Sequence, residues 1–134
     1  KMAFSTNIHI YINDLVGGLH VGNHTLVSYL NEAQMRFLTA LGFPTLIVDN
    51  AITFNNEIAV QYQREARYGD VLTVQAHIDP LEDRQYRIAY RIQNQHGKTV
   101  LTAQMGMVFV DQATGRRCDV PGAFRDAWSQ FTGT

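Results

Sequence analysis

Cysteine is nearly missing from this chain. Cys118 stands alone, which excludes an intramolecular disulfide and a cysteine-rich metal site. Charge is scarce as well, at 17% of residues against roughly 25% in ordinary soluble domains. Of the cationic residues only Lys1 and Lys98 are lysines, and the formal net charge is −1. No basic footprint therefore argues for nucleic acid or for an anionic membrane. No apolar run approaches the roughly 20 residues of a membrane span. The opening Lys1-Met2-Ala3 has no hydrophobic leader behind it, so the expected setting is the cytoplasm. What remains is an apolar fraction of 46% in 134 residues. That is the size of a single domain, 1–134, which buries surface on itself or on a partner.

Hydrophobic period divides the chain. Phe4, Thr6, Ile8, Ile10 and Ile12 alternate with polar residues and predict a strand over Phe4–Ile12. A glycine-punctuated stretch, Asn13 to Asn23, predicts irregular backbone. From His24 to Leu41 the period changes to three and four, with Leu26, Tyr29, Leu30, Ala33, Phe37, Leu38 and Leu41 on one face. This is one amphipathic helix about 27 Å long, with Asn23 as N-cap and Gly42 and Pro44 as its stop. Period two then returns in four runs. Ile52, Phe54, Ile58, Val60 and Tyr62 share one face of the first; the others centre on Leu72–Ile78, Tyr86–Ile92 and Leu101–Phe109. Turns fall at Gly69-Asp70, Gly97 and Thr114-Gly115. Pro121 opens a short terminal helix carrying Phe124, Trp128 and Phe131.

The order is strand, long helix, then four strands joined by short turns, read as an antiparallel meander. The fold class is α+β: a long central helix covering one face of a curved antiparallel sheet of about five strands, plus a short C-terminal helix. The free edges and outer face call for self-association.

Chemistry concentrates where the irregular stretch meets the helix. A helix N-terminus presents unpaired amides and partial positive charge. Aimed at a thioester carbonyl, they would stabilise the oxyanion of acyl transfer. Gly17, Gly18 and Gly22 let backbone approach a ligand closely. Asp14 supplies a carboxylate and His20 an imidazole that titrates near neutrality. The plainer reading is that the glycines make a tight connection and Asp14 caps a turn.

The run Asp14-Leu-Val-Gly-Gly-Leu-His20-Val-Gly-Asn23, then Asn31-Glu32-Ala33, then Tyr62…Ala66-Arg67-Tyr68-Gly69-Asp70, resembles the hotdog-fold acyl-CoA thioesterases of the 4-hydroxybenzoyl-CoA thioesterase type. Their pattern is roughly Asp-x-Asp/Asn-x-x-Gly-His-Val-x-Asn, a Glu-Ala pair on the helix, and Tyr-Gly-Asp at a later turn. The resemblance implies a helix wrapped by a sheet, dimers formed through sheet edges, and active sites between subunits. It implies hydrolysis of an acyl-CoA by an acidic residue acting as base or nucleophile, with no metal and no other cofactor. Partners would be the acyl-CoA and further copies of the chain, as homodimer or homotetramer. On this chain the oxyanion donor falls at Asn23, with Gly22 and His24 beside it, and His20 matches the motif histidine.

One departure matters. Counted back from His20, the position that holds the catalytic carboxylate in many relatives is Val16. Asp14 is the first substitute. Glu32 is the second, although nine residues at about 100° each put it half a turn from Asn23, whereas Asn31 lies nearer that azimuth and could position a water. Arg64, Arg67, Arg116 and Arg117 are candidates for coenzyme A phosphates, with Arg67 in the motif itself. His20 and His24, four apart, lack a third metal ligand. Because Val16 carries no acid, a non-catalytic acyl-binding module is the alternative to an enzyme; a hydratase ranks last.

Overall fold

Alternating and helical periods become, in chain order, β1 (Ala3–Ile8), a 3-10 turn at Ile12–Asp14, β2 (Leu15–Val16), a second turn at Gly17–Leu19, β3 (His20–Val21) and α1 (Asn23–Leu41). Then follow β4 (Ile47–Val48), β5 (Ala51–Tyr62), β6 (Leu72–Ile78), β7 (Gln85–Gln93), β8 (Thr99–Asp111), β9 (Arg117–Cys118) and α2 (Gly122–Thr132). The structure, a computed structural model, describes residues 3–133; Lys1, Met2 and Thr134 lie outside them.

Five long strands and two very short ones make one antiparallel sheet in the order β1-β6-β7-β8-β5-β4, with β9 on β8. This is the α+β hotdog arrangement, with α1 against the inner face. The expected four-strand meander holds only for β6-β7-β8. β5 pairs with β8 instead of β6, because the connection from Gln63 to Val71 is no hairpin turn but crosses to the start of α1. β6 is left to pair with β1.

The inner face follows the sequence alternation in β6, β7 and β8: Leu72, Val74, Ala76, Tyr86, Ile88, Ile92, Leu101 and Met105 are all buried. α1 lays Leu26, Leu30, Ala33, Phe37 and Leu38 onto them. The predicted strand over Phe4–Ile12 ends early, at Ile8, where the chain turns into the 3-10 segment. The face assigned to β5 also divides. A bulge between Asn55 and Glu57 adds one residue, and an added residue reverses the alternation. Ala51 and Thr53 face inward before it; Ile58, Val60 and Tyr62 share the inward row after it, paired with Met105, Ala103 and Leu101. Phe54 is left outside.

The terminal helix α2 caps one end of the core, as the Phe124, Trp128, Phe131 pattern predicts. Phe124 packs against Tyr86, Phe109 and Trp128, with ring centres 4.9, 5.0 and 5.7 Å away. Phe37 of α1 meets Trp128 and Phe131 edge-on. Among the described residues no helix is long and apolar enough to cross a membrane.

Candidate active site

The N-terminus of α1 is built by a tight hairpin. β2 and β3 pair Leu15 with Val21 and Val16 with His20, and the turn between them needs left-handed backbone. Gly18 supplies it at φ +80, and Leu19 follows at φ +62, a conformation that costs a branched side chain about 1–2 kcal/mol. Interstrand bonds hold the turn in place: Tyr68 N–H donates to Leu19 O at 3.1 Å and Val21 N–H to Ala66 O at 2.8 Å. The motif segments at 14–23 and 62–70 thus come together as neighbouring backbone, with His20 bridged to Arg67.

Gly22, not Asn23, is the N-cap. Its backbone is extended (φ −66, ψ 149), and its carbonyl receives the amides of Thr25 and Leu26, both at 3.0 Å. Asn23 becomes the first helical residue. No side chain caps the helix, and among the described residues the amides of Asn23 and His24 donate to nothing. Two bare N–H groups at a helix start form a natural anion or oxyanion site. A side chain at Gly22 would crowd them, since an added Cβ would stand 2.9 Å from the His24 ring and 3.2 Å from Val16 Cγ1. The same contact places Val16, the residue at the acid position of the motif, directly against the N-cap.

The helix start opens into a hollow of about 330 Å³ lined by His20, Val21, Asn23, Leu26, Tyr62, Gln63, Arg64 and Glu65. Tyr62 OH donates to the Asn23 carbonyl at 3.4 Å. Glu65 Oε1 accepts from Arg67 Nη2 at 2.8 Å, and Glu65 Oε2 lies 3.9 Å from His20 Nδ1. Arg67, expected at coenzyme A phosphates, is thus engaged with Glu65 at the rim, and Arg64 lines the hollow itself.

Asp14 does not line it. Its carboxylate occupies a second hollow of about 430 Å³, with Ile8, His9, Tyr11, Ser28, Tyr29, Glu32 and Arg36. Asp14 Oδ2 accepts from Tyr29 OH at 2.7 Å and from Tyr11 N–H at 3.0 Å; the second bond caps the 3-10 turn. Burial, and then the Asp14 carboxylate, hold the Tyr29 phenol well above the usual tyrosine range. Glu32 pairs with Arg36 at 2.8 Å, and Arg36 also donates to Thr6 Oγ1 and Asn7 O, each at 2.7 Å. Within one chain, then, His20 and Asn23 share one hollow while Asp14 and Glu32 share the other. Asn31 and His24 are exposed and line neither. Among the described residues no three His, Cys, Asp or Glu side chains gather to hold a metal ion.

Sequence reasoning passed over Glu65 entirely. Its one signal was adjacency to the Ala66…Asp70 motif, because the contact with His20 joins residues far apart in the chain.

The model of the thioesterase-like superfamily matches residues 12–128 of this chain. No curated protein sequence matches it. Among solved structures, the hypothetical protein SAV2348 from Staphylococcus aureus, in complex with CoA, superposes with a TM-score of 0.90 at 18% identity, covering 99% of this chain and 85% of that one. Slr0204, a 1,4-dihydroxy-2-naphthoyl-CoA thioesterase from Synechocystis, gives 0.84 at 18% identity, covering 94% and 95%. A variant 4-hydroxybenzoyl-CoA thioesterase complexed with 4-hydroxybenzoyl-CoA gives 0.82 at 18% identity, covering 93% and 97%. At such identities these are likenesses of fold.

Proposed function

This chain belongs to the thioesterase-like superfamily, and on that premise we propose that it hydrolyses an acyl-CoA thioester to a free acid and CoA. The observation that carries the reading is the undonated amide of Asn23, lining a hollow with His20 at its wall, with the equally undonated His24 amide next along the helix. Those amides hold the oxyanion that forms when water or a carboxylate attacks the thioester carbon. Gly22 keeps the approach clear. His20 fixes the loop beside the carbonyl. Asp14, held by Tyr29 in the other hollow, reaches a thioester carbon at these amides only if that carbon is held by a second copy; Glu65 already stands in the same hollow as Asn23.

The working unit in this reading is a homodimer or homotetramer in the cytoplasm. β4 pairs only with Ala51 and Ile52, so the rest of that edge of β5 has no strand beside it among the described residues. Phe54, Ile58 and Tyr62 on this strand are exposed. A long apolar edge strand needs cover, and a second copy supplies it.

The test is release of free thiol from a panel of aromatic and aliphatic acyl-CoA thioesters, 4-hydroxybenzoyl-CoA and 1,4-dihydroxy-2-naphthoyl-CoA among them. Turnover of one or more supports the reading. A folded protein that hydrolyses none of them overturns it. Val16 at the N-cap favours a second reading, a non-catalytic acyl-CoA-binding module, for which the same panel would show binding without turnover.

A further inference from the structure

Three acids stand near the first half of α1, and their partners separate them. Asp14 Oδ2 takes two hydrogen bonds that hold the 11–14 turn to the helix. Glu32 is paired with Arg36, which itself ties α1 to β1. Both face the second hollow. Glu65 alone of the three lines the hollow that contains Asn23. Its Oε1 is engaged by Arg67, while Oε2 accepts no hydrogen bond among the described residues and lies 3.9 Å from His20 Nδ1.

The backbone under Glu65 is pinned on both sides. Gln63 and Arg64 both donate to Val100 O, at 2.8 and 3.1 Å. Ala66, fully buried, receives Val21 N–H. Val21 runs directly into the Gly22 N-cap, so residue 65 and the bare amides belong to one rigid frame. A base needs such fixed placement before its basicity counts.

We propose that Glu65 is the general base of the hydrolysis; this rests on the thioesterase reading above. Glu65 Oε2 takes a proton from a water in the hollow. The water oxygen forms a bond to the thioester carbon, and the carbonyl electron pair moves onto oxygen, where the Asn23 amide receives it. When the C=O bond re-forms, the C–S bond breaks with its electrons on sulfur. The proton on Glu65 passes to that sulfur, leaving a carboxylic acid, a thiol and a regenerated carboxylate. The acid absent at Val16 is thereby replaced by one that lines the hollow holding Asn23.

The experiment compares wild type, E65Q, E65D and D14N on the acyl-CoA that wild type turns over fastest. For each variant kcat, equilibrium binding of the acyl-CoA and circular dichroism are measured. Expected for E65Q is a fall in kcat of about 10²- to 10⁴-fold, the range for loss of a general base, with binding and fold unchanged. E65D should recover part of the lost rate, and D14N should keep kcat within about tenfold of wild type. An E65Q that turns over normally, or a folded D14N that is dead while E65Q is active, overturns the assignment and leaves the thioesterase reading standing. A wild type inactive on every thioester overturns both.

Discussion

Tyr29 and Asp14 are joined by a 2.7 Å hydrogen bond, phenol to carboxylate, between the buried face of α1 and the loop that precedes it. This bond fixes which way the acid of the motif segment faces. Removing it in Y29F should lower stability by about 1.5 kcal/mol, the low end for a hydrogen bond to a charged group, since the site is part-buried. Turnover should stay within about twofold of wild type. Urea unfolding and kcat measured together check this; a large loss of kcat at unchanged stability would make Asp14 catalytic after all.

Val16 touches the N-cap that a carboxylate would be expected to serve. V16D places negative charge where the helix start favours it, worth about 0.3–1 kcal/mol, and gives up a half-exposed valine. Stability should change by no more than about 1 kcal/mol. In an E65Q background V16D should raise kcat at least about tenfold, because a new acid then stands beside the N-cap. Steady-state kinetics of the double variant against E65Q alone decide it.

Ile58 sits past the bulge on the inward row of β5, yet half its surface is exposed. A partner copy would cover it. I58K should shift the protein from dimer or tetramer to monomer in sedimentation velocity, with its circular dichroism retained. An unchanged sedimentation coefficient would move the interface elsewhere.

Tyr86 and Tyr90 of β7 are buried, and burial pushes both phenols well above the ordinary tyrosine range. The unfolded chain loses these protons from about pH 10, while the folded chain keeps them. Stability is therefore intact below that pH and should fall above it by about 1.4 kcal/mol per pH unit for each tyrosine. Denaturant unfolding at stepped alkaline pH measures the slope. At neutral pH the two should differ. Tyr86 OH is bonded to Thr53 Oγ1 at 2.7 Å, whereas Tyr90 OH has no partner among the described residues. Y86F should thus lose about 1 kcal/mol and Y90F should gain about as much, since an unsatisfied buried hydroxyl carries a penalty.

Periodicity determined a great deal of this protein without any coordinates. The three-and-four spacing of Leu26 to Leu38 set the buried face of α1, and strict alternation set the inner faces of β6 and β7, because burial on one face leaves a local pattern. The helix start was legible to within one residue, at Gly22 rather than Asn23, because caps are local. Tertiary structure alone decided the rest. The bulge after Asn55 reversed half of β5, since one inserted residue leaves no mark in composition. β5 lay beside β8 rather than β6 because strand order is set by long-range packing. The partition of acids between two hollows, Asp14 with Tyr29 and Glu65 with His20, depends on which distant segments the sheet folds together. No spacing along the chain encodes that meeting.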